Sequence, residues 1–173
     1  SFPFLNNKEC KIIPNCINFE MKQKIIQKNI PSNNEYHLLY VGWIEPIKNL
    51  SLFLEAAKYL KDSLPNKSII LHIVGEGTDL NFLKNKSKKL RLNLIFHGWV
   101  SDVNELNKIY DQSNCFCLTS FYEGFPNVVL EAMSHGLPII STRVGGLPYW
   151  LKEGKNILFC LLYTSPSPRD LRL

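Results

Sequence analysis

Apolar and polar positions follow two alternating periods along this chain. His37 to Gly42 is an apolar run that stops at a glycine, and Leu50, Phe53, Leu54, Ala57 and Leu60 then recur at helical spacing. The same order of strand, loop and helix returns several times. Ser68 to Gly75 predicts a second strand and Thr78 to Leu90 a second helix. Leu94 to Gly98 predicts a third strand, and Ser101 to Tyr110 a third helix capped by Ser101 or Asp102, with Glu105 in its first turn. Asn114 to Thr119 is a fourth strand. Pro126, a favoured first helical residue, then opens a helix that Gly136 and Pro138 stop. Pro138 to Thr142 continues the alternation. Strands alternating with helices of about 10–15 residues predict a parallel sheet covered on both faces and doubly wound by right-handed crossovers. The expected fold is α/β and Rossmann-like, spanning residues 32–159. Residues 1–31, irregular apart from a lysine-rich helical candidate at Met21 to Lys28, read as a connector.

Composition changes this picture little. A chain of 173 residues, 45% hydrophobic and 20% charged, is ordinary for one globular domain. Its net charge of +5 is spread over single lysines, except for a run at Lys84, Lys86, Lys88, Lys89 and Arg91. That run lacks interleaved aromatics and any nucleic-acid reader motif, so it reads first as a solvated helix face and second as a membrane-surface contact; nucleic acid is not an expected partner. Cys10, Cys16, Cys115, Cys117 and Cys160 have neither zinc spacing nor an even count, and read as reduced, buried thiols. No apolar run is long enough to span a membrane and no signal peptide opens the chain, which together predict a soluble, cytosolic protein.

Chemistry gathers at one edge. In an open parallel sheet the ligand crevice lies outside the carboxyl ends of the strands. There the first loop carries Gly42, Trp43 and Lys48, the second Gly75, Glu76 and Gly77, and the third Gly98, Trp99 and Val100. The fourth opens Glu-Gly-Phe-Pro-Asn-Val-Val-Leu-Glu from Glu123, two carboxylates flanking a Gly-Phe-Pro-Asn turn, with Glu131 about a turn and a half into the helix. A helix N-terminus there attracts anions, whereas two carboxylates beside it suit neutral hydroxyls. Sugars carry such hydroxyls.

At these residues the chain resembles the retaining glycosyltransferases of the GT-B fold, in the grouping numbered four (glycosyl transferases group 1), whose donor side carries an E-x7-E motif with Phe-Pro-Asn after the first Glu. The resemblance implies that this is the C-terminal, donor-binding half of such an enzyme, truncated at both ends, with the acceptor-binding N-terminal domain missing. By it, Lys48 grips the donor diphosphate, Glu123 with the backbone at Gly124, Phe125, Pro126 and Asn127 holds the donor sugar, and Glu131 accepts from the ribose hydroxyls. Glu123 and Lys48 are then the catalytic candidates, Gly98 to Val100 flank the nucleobase, and Gly42 and Gly75 line the same crevice. The donor would be UDP- or GDP-linked, with no separate cofactor and no metal, since no Asp-x-Asp pair is present. The acceptor, whether glycan, lipid or small molecule, is unspecified.

The chain departs from the family in three places. The first family loop reads Gly-Arg-Leu-x-x-x-Lys, and here Trp43 stands for the arginine, reading first as a residue packed under its loop. Cys16 replaces the glycine of the usual interdomain Pro-Asn-Gly. From Cys160 onward, Cys-Leu-Leu-Tyr-Thr-Ser-Pro-Ser-Pro-Arg-Asp resembles translated sequencing-adapter read-through, so residues 160–173 are expected to be non-native and poorly packed, leaving apolar sheet uncovered near Ile139 and Ile157. Two other classes stay open. A nicotinamide-binding Rossmann enzyme would need a third glycine that Gly75-Glu76-Gly77 lacks, and a non-catalytic nucleotide-sugar module would bind the donor without turnover.

Overall fold

The computed structural model describes residues 34–160. The alternation is present as β1 (Glu35–Val41), α1 (Leu50–Ser63), β2 (Ser68–Val74), α2 (Leu80–Lys89), β3 (Asn93–Gly98), α3 (Val103–Gln112), β4 (Cys115–Leu118), α4 (Asn127–Ser134), β5 (Ile139–Thr142), α5 (Leu147–Trp150) and β6 (Leu158–Cys160). The strands form one sheet in the order β3-β2-β1-β4-β5-β6, every neighbouring pair parallel. β2 is buried at six of its seven positions, as a strand covered on both faces requires. The stripe Leu50, Phe53, Leu54 and Ala57 of α1 is buried against the sheet, each larger side chain contributing about 1.5–3 kcal/mol. Val129 and Ala132 on α4 and Phe116 and Ile139 in the sheet share that core, which sets the start of α4 at the carboxyl edge.

Two details of the helices differ from the sequence expectation. Pro126 has extended backbone and precedes the helix, which starts at Asn127. Four-residue α5, with Pro148 in its first turn, was too short to give a periodic signal. Apolar sheet is uncovered near Ile139 and Ile157, as expected, although these two are themselves buried and the exposed residues are their successors Ile140 and Leu158, which pair across β5 and β6. Successive strand residues face opposite sides, so the open surface is on the other face, over a hollow of about 620 Å³ that Cys115 and Met133 also line. Cys160, assigned above to a non-native tail, pairs with Thr142 in the sheet. The connector at residues 1–31 and the rest of the tail lie outside the described residues.

Of the thiols, Cys117 is buried and Cys115 partly so. On α2, Lys84, Lys88 and Lys89 are exposed, while Lys86 pairs with Glu55.

β1, β2 and β3 each place one histidine on a common face. His37 Nδ1 lies 2.8 Å from His72 Nε2, and His72 Nδ1 lies 2.9 Å from His97 Nε2. With one proton per ring the three can donate in series; a second positive charge would face its neighbours at hydrogen-bond distance. His72 is buried, and burial, then the charges of His37 and His97, lower its pKa to about 4. An unfolded histidine titrates near 6.5. Between those values only the unfolded chain takes the proton, so stability is full above about pH 6.5 and falls as pH drops toward 4. We expect urea unfolding to lose on the order of 2 kcal/mol between pH 7 and pH 5 from this residue. His72→Leu should flatten that dependence; an unchanged slope in the variant would refute it.

Candidate functional site

The loops at the carboxyl edge are tied to one another by backbone. Gly42 N donates to Val74 O (3.0 Å), Ile44 N to Glu76 O (2.7 Å) and Gly75 N to Gly98 O (2.8 Å). Gly75 has φ +129, and a Cβ there would collide with the Gly42 carbonyl, so only glycine lets the first two loops approach this closely. Glu45 adds a side-chain tie, accepting from Thr78 N (3.2 Å) and Thr78 Oγ1 (2.7 Å). Three of the predicted loops thereby form one platform.

Sheet order turns between β1 and β4, where crossovers leave the sheet in opposite directions and a crevice opens. Lys48 follows β1 there, at the end of a 3-10 turn, Pro46–Lys48. Glu123 follows β4. Phe121 N donates to Ile47 O (2.9 Å) and Thr119 Oγ1 to Lys48 O (3.1 Å), which draws the two segments together. Lys48 Nζ meets Glu123 Oε1 at 2.8 Å, and Ser120 Oγ donates to the same oxygen at 2.7 Å. Their side chains are 21% and 12% exposed, so the pair is less screened than a surface ion pair. The turn after Glu123 is backed by the segment before α5. Gly146 N donates to Gly124 O (2.8 Å), and Gly145, at φ +54, lies so close that a Cβ would strike the carbonyls of Gly124 and Glu123.

Glu131 is held elsewhere. Tyr110 of α3 donates its hydroxyl to Glu131 Oε2 at 3.0 Å. Burial and the adjacent carboxylate push the Tyr110 phenol far above its ordinary range, so it remains a donor at any working pH. Phe125 is half-buried, Pro126 buried, and Gly124 and Asn127 exposed at the start of α4.

Trp43 is not packed beneath its loop. It is 58% exposed and Trp99 62% exposed, with ring centroids 5.7 Å apart at 32°. The reason is Tyr40, which is buried below the loop and donates its hydroxyl to the Trp43 carbonyl (2.8 Å), leaving the indole outside.

Of the residues singled out from sequence, Gly42, Gly75, Gly98, Trp99 and Val100 lie at the ends of β1, β2 and β3, and Lys48 and Glu123 touch. Ser120, Tyr110 and Gly145 were not singled out. Ser120 precedes Glu123 by three residues and could have been marked by that spacing; the other two act through long-range contacts that no local pattern announces. Among the described residues no group of three His, Cys, Asp or Glu side chains is placed to hold a metal, and no helix is long and apolar enough to cross a membrane.

Comparison with known proteins adds an independent observation. The family model "Glycosyl transferases group 1" matches residues 21–167. The UDP-Gal:alpha-D-GlcNAc-diphosphoundecaprenol alpha-1,3-galactosyltransferase of Escherichia coli is 31% identical over 156 residues, covering 83% of this chain and 39% of that protein. The apo lipopolysaccharide outer core galactosyltransferase WaaB is 28% identical with a TM-score of 0.59, over 72% of this chain and 36% of that one. The C-terminal domain of a glycosyl transferase group 1 family protein from Francisella tularensis, LpcC, is 28% identical with a TM-score of 0.61, over 72% of this chain and 67% of that domain. The chain spans well under half the length of the curated relatives it matches.

Proposed function

We propose, from the premise that this chain belongs to the glycosyl transferases group 1 and has their Rossmann-like GT-B architecture, that it is the donor half of an enzyme transferring a hexosyl group from a UDP- or GDP-linked sugar with retention. The observation that carries this reading is the Lys48–Glu123 pair at 2.8 Å in the crevice between β1 and β4, beside the start of α4. A cation there suits a diphosphate, and a carboxylate there suits sugar hydroxyls. Glu131 lies further along α4, where it would meet the ribose, and the Trp43–Trp99 pair borders the loop assigned to the base. The name of the E. coli relative specifies a UDP-linked galactosyl donor, which favours UDP.

In this reading the bond between the anomeric carbon and the diphosphate oxygen breaks while an acceptor hydroxyl attacks from the same face. Its proton passes to the departing phosphate oxygen. Lys48 and the α4 N-terminus stabilise the charge that develops on the diphosphate, so the proposed mechanism routes no step through a metal. A covalent intermediate on a carboxylate would need two carboxyls about 5 Å apart across the scissile bond; Glu123 is engaged by Lys48 and Ser120 and Glu131 by Tyr110, which favours the front-face route. The acceptor would be bound by the rest of the protein. A cytosolic setting, with the exposed lysines of α2 against a membrane surface, belongs to the same proposal.

The test is a set of titrations on the full-length enzyme. Lys48→Ala and Glu131→Ala should weaken free nucleoside diphosphate about 10- to 100-fold, the loss of one charged hydrogen bond. Glu123→Ala should weaken the nucleotide sugar by a similar factor and change free diphosphate by less than about threefold. Equal losses of diphosphate affinity in all three variants would sink the assignment. Tight NAD binding with no nucleoside diphosphate binding would favour the nicotinamide alternative.

A further inference from the structure

We propose that Tyr110 is the positioning residue for Glu131: its hydroxyl holds one carboxylate oxygen so that the other is presented to a ribose hydroxyl of the donor nucleotide. The proposal rests on the reading of Glu131 given above. Glutamate is a flexible side chain, and a free one loses its rotamer freedom when it binds a ligand. Here Oε2 is already occupied by Tyr110 at 3.0 Å.

Tyr110 is itself fixed. The residue is 1% exposed, and its ring stacks on His135 with centroids 4.9 Å apart at 11° and meets Phe116 at 6.4 Å. His135 is tethered in turn, Nδ1 to Asp111 Oδ1 at 2.7 Å and Nε2 to Asn107 Oδ1 at 3.1 Å. His135 caps α4 one turn after Glu131, and Asn107, Tyr110 and Asp111 share a face of α3. The brace therefore spans both helices. α3 begins directly after the Gly98 to Val100 loop assigned to the nucleobase, so the brace refers the ribose carboxylate to the base loop. A phenylalanine would fill the same core space. Placing a hydroxyl there, at a desolvation cost that the bond to Glu131 offsets, has a purpose if the carboxylate must be aimed.

The brace and a purely structural contact differ in what they discriminate. Dissociation constants for UDP and GDP and for their 2′-deoxy and 3′-deoxy counterparts are measured by calorimetry on the full-length enzyme. Glu131→Gln sets the reference by shrinking the preference for ribose over one or both deoxyriboses. Tyr110→Phe is expected to weaken the ribonucleotide about 5- to 20-fold, as one misaligned charged hydrogen bond would, and to leave that deoxynucleotide within about twofold. In a Glu131→Gln background it should add nothing further. His135→Leu, which keeps the hydroxyl but removes the tether, should show a smaller loss confined to the ribonucleotide, so the outcome does not hang on one variant folding. Equal losses for ribose and deoxyribose in either variant, or unchanged ribonucleotide affinity in Tyr110→Phe, would overturn the proposal. If Glu131→Gln leaves the ribose preference intact, the assignment of Glu131 falls and this inference with it; if only the Tyr110 and His135 variants leave it intact, this inference falls alone.

Discussion

Gly145→Ala is expected to lower glycosyl transfer by the full-length enzyme about a hundredfold or more, the scale of a 1 Å misplacement at a reacting centre. The added Cβ would strike the carbonyl oxygens of Gly124 and Glu123, which are backbone and have no rotamer to escape into. The Glu123 turn must move away, and with it the Gly146 N to Gly124 O bond and the Glu123 contacts with Lys48 and Ser120. Gly145 also sits at φ +54, which alone costs a residue with a Cβ about 1 kcal/mol. Gly154→Ala separates the two effects, because Gly154 has φ +75 and nothing within 4 Å of its added carbon. Steady-state rates and melting temperatures of both variants decide the matter. A rate loss in Gly145→Ala no larger than in Gly154→Ala would show that the two loops need not fit so closely.

The parallel sheet was legible because its signal is local. Strands buried on both faces read as apolar runs, α1 carried its stripe at helical spacing, and Asp102 caps α3 through Asn104 N as its position suggested. The carboxyl edge, where the candidate residues gather, was legible for the same reason, since each run ended in a loop with Gly, Lys or Glu. Side-chain direction was less accessible. Trp43 turned outward because Tyr40, three residues earlier in sequence, fills the space beneath and takes the carbonyl, a choice made by packing rather than by period. Which of Ile139 and Ile140 faces outward was equally open, because a one-residue phase in a four-residue strand is set by its neighbours β4 and β6. Tyr110 and Gly145 matter through partners up to 22 residues away in sequence. Nothing in a single sequence marks such partners.

The second large effect concerns the chain as a unit: supplied with donor and acceptor, residues 1–173 alone are expected to bind nucleoside diphosphate yet give no glycosyl transfer beyond slow donor hydrolysis. The relatives it matches are more than twice as long as the matched portion, which is 39% of the E. coli galactosyltransferase. The described residues contain one sheet, and everything assigned to the donor sits on its carboxyl edge. That edge is rimmed by exposed Trp43, Ile47, Trp99, Phe121 and Tyr122, more apolar surface than a water-facing rim needs. A cleft closed by a second domain would cover it, exclude water and bring the acceptor hydroxyl to the anomeric carbon. Calorimetry with UDP and GDP establishes that the chain is folded and binding, and product assays with and without an added acceptor domain then read transfer. Transfer by the chain alone would mean that acceptor recognition lies within these residues, and the exposed aromatic rim would be where to look for it.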